Sequence, residues 1–196
     1  SKTTQSSEKL GIFKKIGKSI ARPVELFERT KDEGVWPALK YLLVIFLWPF
    51  LIGVILIALV SSLVIALIGQ FIGSFSGAAA ASSLGIGLLS AYWALMLFVF
   101  IPVALFISAG IFHLFIKLYG GQGGYADTFK SAIYSSTPQI IFFFVPFIGI
   151  WTFILQLFGL SIYHDFSKLR AFLAMLTMGV IIAIIYLISL ILIFNL

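Results

Sequence analysis

"YLLVIFLWPFLIGVILIALVSSLVIALI", Tyr41 to Ile68, contains no charged residue. A helix needs ~20 apolar residues to cross ~30 Å of hydrocarbon, and this run is longer than that. No Asp, Glu, Lys or Arg occurs anywhere between Tyr41 and Ile116. The block accommodates two spans and a turn. The 196 residues are 61% hydrophobic and 10% charged, with a mean hydropathy of +1.15. A soluble domain carries about 25% charged residues. So few charges could not cover a soluble surface, and the class is integral membrane protein.

The first span is expected over about 37–68, with Pro37 in its first turn. Pro49 is a kink site, and Trp36 and Trp48 are interface or packing aromatics. "GQFIGSFSGAAAASSLGIG", 69–87, reads as a short external loop; its Gly69, Gly73 and Gly77 offer a small-residue face for helix contact. The second span follows over about 88–118, with Pro102 as a second kink site. The third starts near Ala126 and ends at "FVPFIG", 144–149, where Pro146 and Gly149 mark a tight turn. The fourth runs over about 150–163 and the fifth over 171–194. Residues 126–163 fit two tight spans or one re-entrant hairpin.

Nine of the 13 Lys and Arg lie in residues 1–40, and the others are Lys117, Lys130, Lys168 and Arg170. The loops at 69–87 and 145–149 carry none. Basic residues collect on the cytoplasmic side. The expected fold is therefore an all-α polytopic bundle of five transmembrane helices, N-terminus inside and C-terminus outside. Residues 1–36 form a basic cytoplasmic segment and residues 37–196 the membrane domain. The net charge of +6 reports topology, and no nucleic-acid partner is expected. Residues 1–37 do not read as a secretory signal, so the N-terminus is expected to be retained.

Within that segment, Leu10, Phe13, Ile16, Ile20, Val24 and Phe27 recur at helical spacing. Lys14, Lys15 and Lys18 fall on other faces. Pro23 starts a second short helix, with Glu25 and Glu28 in its first turns. The pattern reads as an amphipathic helix on the inner membrane surface, with Phe13, Lys14, Lys15, Ile16 and Lys18 as lipid contacts. A helix packed under the bundle has the same pattern, and both can hold. Residues 1–7 are expected to be disordered.

"LYGGQGGYADTFKSAIYSSTPQ", 118–139, holds the remaining candidates. A phosphate loop follows a strand and ends in Gly-Lys-Ser/Thr, and here neither is present. The glycines read as a connector on the inner face. Gly120 or Gly121 ends the second span in the left-handed conformation, and Gly123 and Gly124 follow. Asp127 or Thr128 then caps the third helix. His164 and Asp165 join this inner-face loop. His113, one turn before Lys117, lies inside a span. His113, His164 and Asp127 lack ligand spacing such as H-x-x-x-H, so no metal site is expected. Tyr134, Ser135, Ser136, Thr137, Pro138 and Gln139 are the most polar intramembrane patch. They read as small-residue packing around a kink or as a broken helix beside a substrate path.

There is no cysteine, which excludes disulfides, thiolate catalysis and cysteine-bound metal. No Asp, Glu, Lys or Arg is expected within a span, whereas ion-coupled carriers usually need one. No nucleophile–base pair or nucleotide motif appears. Neither an enzyme nor a cofactor is expected.

The order "GGQGGYADTFKSAIYSSTPQ…VPFIGIWTFILQLFGLSIYHDFSKLRAFLA" resembles the Yip (Ypt-interacting protein) domain family. The matching parts are the Gly-Gly before the third span, the Tyr-Ser…Pro within it, the Pro-x-x-Gly-x-Trp turn, and the Gly-Leu…His before a small-residue start of the fifth span. "ARPVELFERTKDEGVWPALKYL" resembles the family's lead-in. The likeness covers about 20–190. It implies five spans with a cytoplasmic N-terminus, no catalytic residue, and, in eukaryotes, binding of Rab-type GTPases in secretory membranes. The short N-terminal segment is closer to the compact prokaryotic members, which implies a prokaryotic plasma membrane and, for some, a role as transporter accessory subunits.

The leading expectation is a non-enzymatic scaffold or adaptor whose partners are membrane lipid and other integral membrane proteins or a second copy. The rivals are a small channel, transporter or lipid-moving protein with a path near Pro138, and a membrane-shaping protein acting through residues 8–33.

Overall fold

The computed structural model describes residues 10–72 and 76–194. Gly73 and the first seven residues lie outside them. The described residues form α1 (Ile12–Ala21), α2 (Pro23–Arg29), α3 (Val35–Ile72), α4 (Ser76–Leu118), α5 (Tyr125–Ile141), α6 (Ile148–Tyr163) and α7 (Lys168–Phe194). Three of these are long and apolar enough to cross a membrane: Val35–Ile68 within α3, Phe98–Leu118 within α4, and α7.

The break between α1 and α2 follows from Pro23. The residue before a proline resists the helical region, and Arg22 leaves it (φ −145°, ψ 62°). Pro23 then opens α2, where its missing N–H costs nothing. Pro49, Pro102 and Pro138 all lie inside helices.

The external loop expected over 69–87 is corrected. α3 runs on to Ile72, and α4 already begins at Ser76. The stretch is rich in Ala, the best helix former, and contains no proline. Uncharged backbone in an apolar setting also satisfies its own hydrogen bonds best as helix. The two helices are correspondingly long, 38 and 43 residues, or ~57 and ~64 Å at ~1.5 Å per residue. α5 and α6 are short, 17 and 16 residues, or ~25 Å each. The expected absence of charge from the spans is corrected as well, because Asp127 and Lys130 fall within α5.

Among described side chains, the buried core gathers at the charged end of the bundle. One cluster joins Leu26 and Phe27 of α2, Tyr41 and Leu42 of α3, Ile133 and Tyr134 of α5, and Leu155 and Tyr163 of α6. A second joins Phe112 and Ile116 of α4 to Leu160, Ala171 and Ala174. α5 and α6 meet closely at Gly159, where an added Cβ would lie 2.7 Å from Ser131 Oγ and 3.3 Å from the Phe27 ring. α2 is thus wedged onto the α5–α6 pair. The upper lengths of α3 and α7 present apolar side chains outward, such as Leu59, Leu63, Ile184 and Leu187.

Candidate functional site: the inner-face polar network

The glycine loop closes around one imidazole. Gly120 takes the left-handed conformation (φ 85°) that ends α4. The Gln122 N–H then bonds to the His164 carbonyl at 3.0 Å, which ties the loop to the end of α6. A Cβ on Gly121 would lie 2.5 Å from Ile116 and 3.2 Å from His164 Nδ1. One on Gly123 would lie 2.7 Å from the Tyr163 carbonyl, 2.8 Å from His164 Nδ1 and 2.9 Å from Asp127 Oδ2. These two glycines permit close approach as well as turning the chain. Asp127 completes the loop by accepting the Gly124 N–H at 2.8 Å, the reach-back of a helix cap.

His164 is fully buried. Its Nε2 lies 2.9 Å from Thr128 Oγ1, and the same hydroxyl lies 2.7 Å from His113 Nδ1. A hydroxyl has one proton, so Thr128 donates to one ring and accepts from the other. His164 Nδ1 has no hydrogen-bond partner and faces the two glycines. A proton there would be a buried donor without an acceptor. The network therefore assigns the proton to Nε2, with Thr128 donating on to His113. Burial pushes His164 down from the ordinary 6.5 to about 4, with His113 and Lys117 adding to the shift and Asp127 opposing it.

Beside this lies a buried lysine. Lys130 is 1% exposed and pairs with Asp127 at 2.9 Å. It donates to the carbonyls of Thr30, at 3.2 Å, and Lys31, just past the end of α2, where the helix no longer supplies donors of its own. Its ammonium sits over the Tyr163 ring, 4.9 Å from the centroid. The Tyr163 and Thr30 hydroxyls share a hydrogen bond at 2.5 Å.

A second buried lysine holds α1. Lys15 Nζ donates to Glu33 Oε2 at 2.6 Å and to the Tyr134 hydroxyl at 3.0 Å. Tyr134 in turn donates to the same Glu33 oxygen at 2.6 Å. One turn further along α5, Thr137 and Tyr41 share a hydrogen bond at 3.0 Å.

The candidate residues therefore separate. Of the α1 set, Phe13 is 88% exposed, Lys14 is exposed and Lys18 half-buried. Lys15 turns inward, and Ile16 packs against the core. Lys18 pairs with Glu25, which holds that carboxyl below its ordinary range. In the α5 patch, Tyr134, Ser135, Thr137 and Pro138 are buried, while Gln139 is exposed. Ser135 bonds to the Ser131 carbonyl at 2.6 Å and to the Gln156 side chain, and Ser136 bonds to the Ala132 carbonyl. Asp165, in the left-handed region (φ 50°), pairs with Lys31 at 2.6 Å. His113, His164 and Asp127 form no group of three candidate metal ligands among the described residues.

Sequence reasoning missed Thr30, Glu33, Tyr41, Gln156 and Tyr163. Their partners lie far along the chain, and no local spacing marks them.

The Yip1 domain family model matches residues 18–191. The chain belongs to the Yip1 domain family. No curated protein and no solved structure matches it. The Yip1 match begins at Lys18, inside α1, so it takes in α2 and every partner in the network except Lys15. The stretch from the glycine loop to "YSSTPQ", which carried the resemblance in sequence, holds Thr128, Lys130 and Tyr134, which bond to His113 of α4, to His164 just after α6, and to Thr30 and Glu33 just after α2. Membership and the three long apolar helices together make this a multi-pass membrane protein.

Proposed function

We propose that this Yip1-domain protein is a non-enzymatic scaffold that presents a charged inner face to other integral membrane proteins or to a second copy. The observation that carries this reading is how the polar groups are used. Two buried lysines, two histidines and three tyrosines find their partners inside the protein, in Glu33, Asp127, Thr30, Thr128, Thr137 and backbone carbonyls, and so tie α1 to α6 together. They stiffen a platform instead of lining an open path. Its outer surface keeps Arg22, Glu28, Lys31 and Asp32 exposed, a mixed-charge face suited to a protein partner. The orientation follows the basic residues: N-terminus and network inside, C-terminus outside. A GTPase or a transporter subunit would meet the protein on this face. Charge reversal tests the reading. Arg22→Glu with Asp32→Lys should abolish co-purification of a membrane-protein partner or of a tagged second copy while leaving the thermal transition in place. Unchanged retention would sink it.

A second reading draws on Phe13. An exposed aromatic on a lysine-rich helix is a lipid contact, so α1 also touches the inner leaflet. Phe13→Ser separates the two roles, because Phe13 makes no core contact whereas Ile16 does.

A further inference from the structure

Among the described residues, two cations at the charged end of the α4–α7 seam form no ion pair. Arg170 lies against the glycine loop, with a guanidinium nitrogen 3.4 Å from where a Cβ on Gly120 would sit. Lys117, in the last turn of α4, reaches the other side of the same loop, where its ammonium meets the Gln122 carbonyl at 3.4 Å. Both side chains are exposed. The acids that flank them in sequence are already taken, Asp127 by Lys130 at 2.9 Å and Asp165 by Lys31 at 2.6 Å.

The place of the two cations points to their partner. α4 and α7 pack through Ile116, Ala171 and Ala174, and the Tyr119 and Thr177 hydroxyls share a hydrogen bond at 2.6 Å. Phe98–Leu118 and Lys168–Phe194 are each long and apolar enough to cross a membrane. Arg170 and Lys117 therefore stand where two crossing helices leave hydrocarbon. Beside them, Leu118 and Leu169 are exposed at 78% and 66%. Basic pockets between crossing helices on the inner side suit anionic headgroups. A guanidinium fork can hold a phosphate through two hydrogen bonds, and an ammonium adds a point charge. An acidic protein segment would satisfy the charges and leave the two leucines uncovered. A phospholipid satisfies both at once.

We propose that the inner end of the α4–α7 seam binds the phosphate of an anionic phospholipid between Arg170 and Lys117, with the acyl chains along Leu118 and Leu169. The bound phosphate bridges the glycine loop and the start of α7. The site is separate from the α2 face assigned to protein partners and from Phe13 of α1, and it does not depend on the scaffold reading.

Native mass spectrometry of the full chain, released from mixed micelles of phosphatidylglycerol and phosphatidylcholine, reads the site. The expected result is selective retention of phosphatidylglycerol, weakened about fivefold by each of Lys117→Gln and Arg170→Gln. Lys14→Gln removes an equal charge from α1 and should leave retention unchanged. Both seam positions are exposed, so the variants should fold, and a thermal midpoint taken without added lipid checks this. If Arg170→Gln fails that check, Lys117→Gln carries the comparison. In the unsubstituted protein, phosphatidylglycerol should raise the thermal midpoint, because a ligand that binds only the folded state stabilises it. Inorganic phosphate at the same concentration should not. An equal rise with inorganic phosphate would make this a free-anion site and overturn the lipid assignment. Equal retention of the two lipids would overturn it too, as would an equal loss in Lys14→Gln and the seam variants.

Discussion

Replacing Lys15 with Met should loosen α1 from the bundle. Lys15 is 4% exposed, and its ammonium bonds to Glu33 and Tyr134. Met keeps the packing of the stem and removes the charge. Stripping one partner from a buried ion pair costs ~3–5 kcal/mol. Two features reduce that here. The Glu33 side chain is 19% exposed, and it retains the Tyr134 hydrogen bond. A loss of about 2 kcal/mol is expected, or about 30-fold more frequent opening of α1. Amide exchange over Ile12–Ala21 in detergent reads this directly. Lys14→Met, on the exposed neighbouring face, is the control. Adding Glu33→Gln should return part of the loss, because the stranded carboxylate is then neutral. Equal exchange in Lys15→Met and Lys14→Met would refute the assignment of Lys15 as the latch.

Three further outcomes follow from the same contacts. Gly123→Ala should lower the thermal midpoint through an overpacking cost of about 1–3 kcal/mol, whereas Gly124→Ala, whose nearest contact would be 3.9 Å, should cost far less. His164 binds a proton more weakly folded than unfolded, so its contribution to stability is complete above pH 6.5 and is lost as pH falls towards about 4. That contribution is about 3 kcal/mol, and His164→Gln should flatten this part of a denaturant-midpoint profile. Phe13→Ser should weaken binding of an α1 peptide to anionic vesicles by about 2 kcal/mol and leave the melting of the full chain unchanged.

Much of the helical layout was legible in the sequence. Tyr41–Ile68 announced a span by length and lack of charge, Pro23 announced the α1–α2 break, and Asp127 announced the start of α5. Each rests on contacts within a few residues. The network was not legible. Lys15 stands between Lys14 and the Gly17–Lys18 pair and reads as one more lysine at the membrane surface. Its burial is decided by Tyr134, 119 positions away. Gly121 and Gly123 read as turn residues because their second role depends on His164, on another helix. The 69–87 stretch read as a loop because small residues resemble loop composition, whereas in an apolar setting they continue the helices.

The central claim is that α1 and α2 belong to the folded platform on α5 and α6. The most direct test is amide exchange across α2 in the intact protein, read at Leu26 and Thr30, whose N–H groups bond to the Arg22 and Leu26 carbonyls. The account predicts protection comparable with that of Ile133 and Tyr134 in α5. Exchange at the rate of a free surface peptide, with α5 still protected, would contradict it.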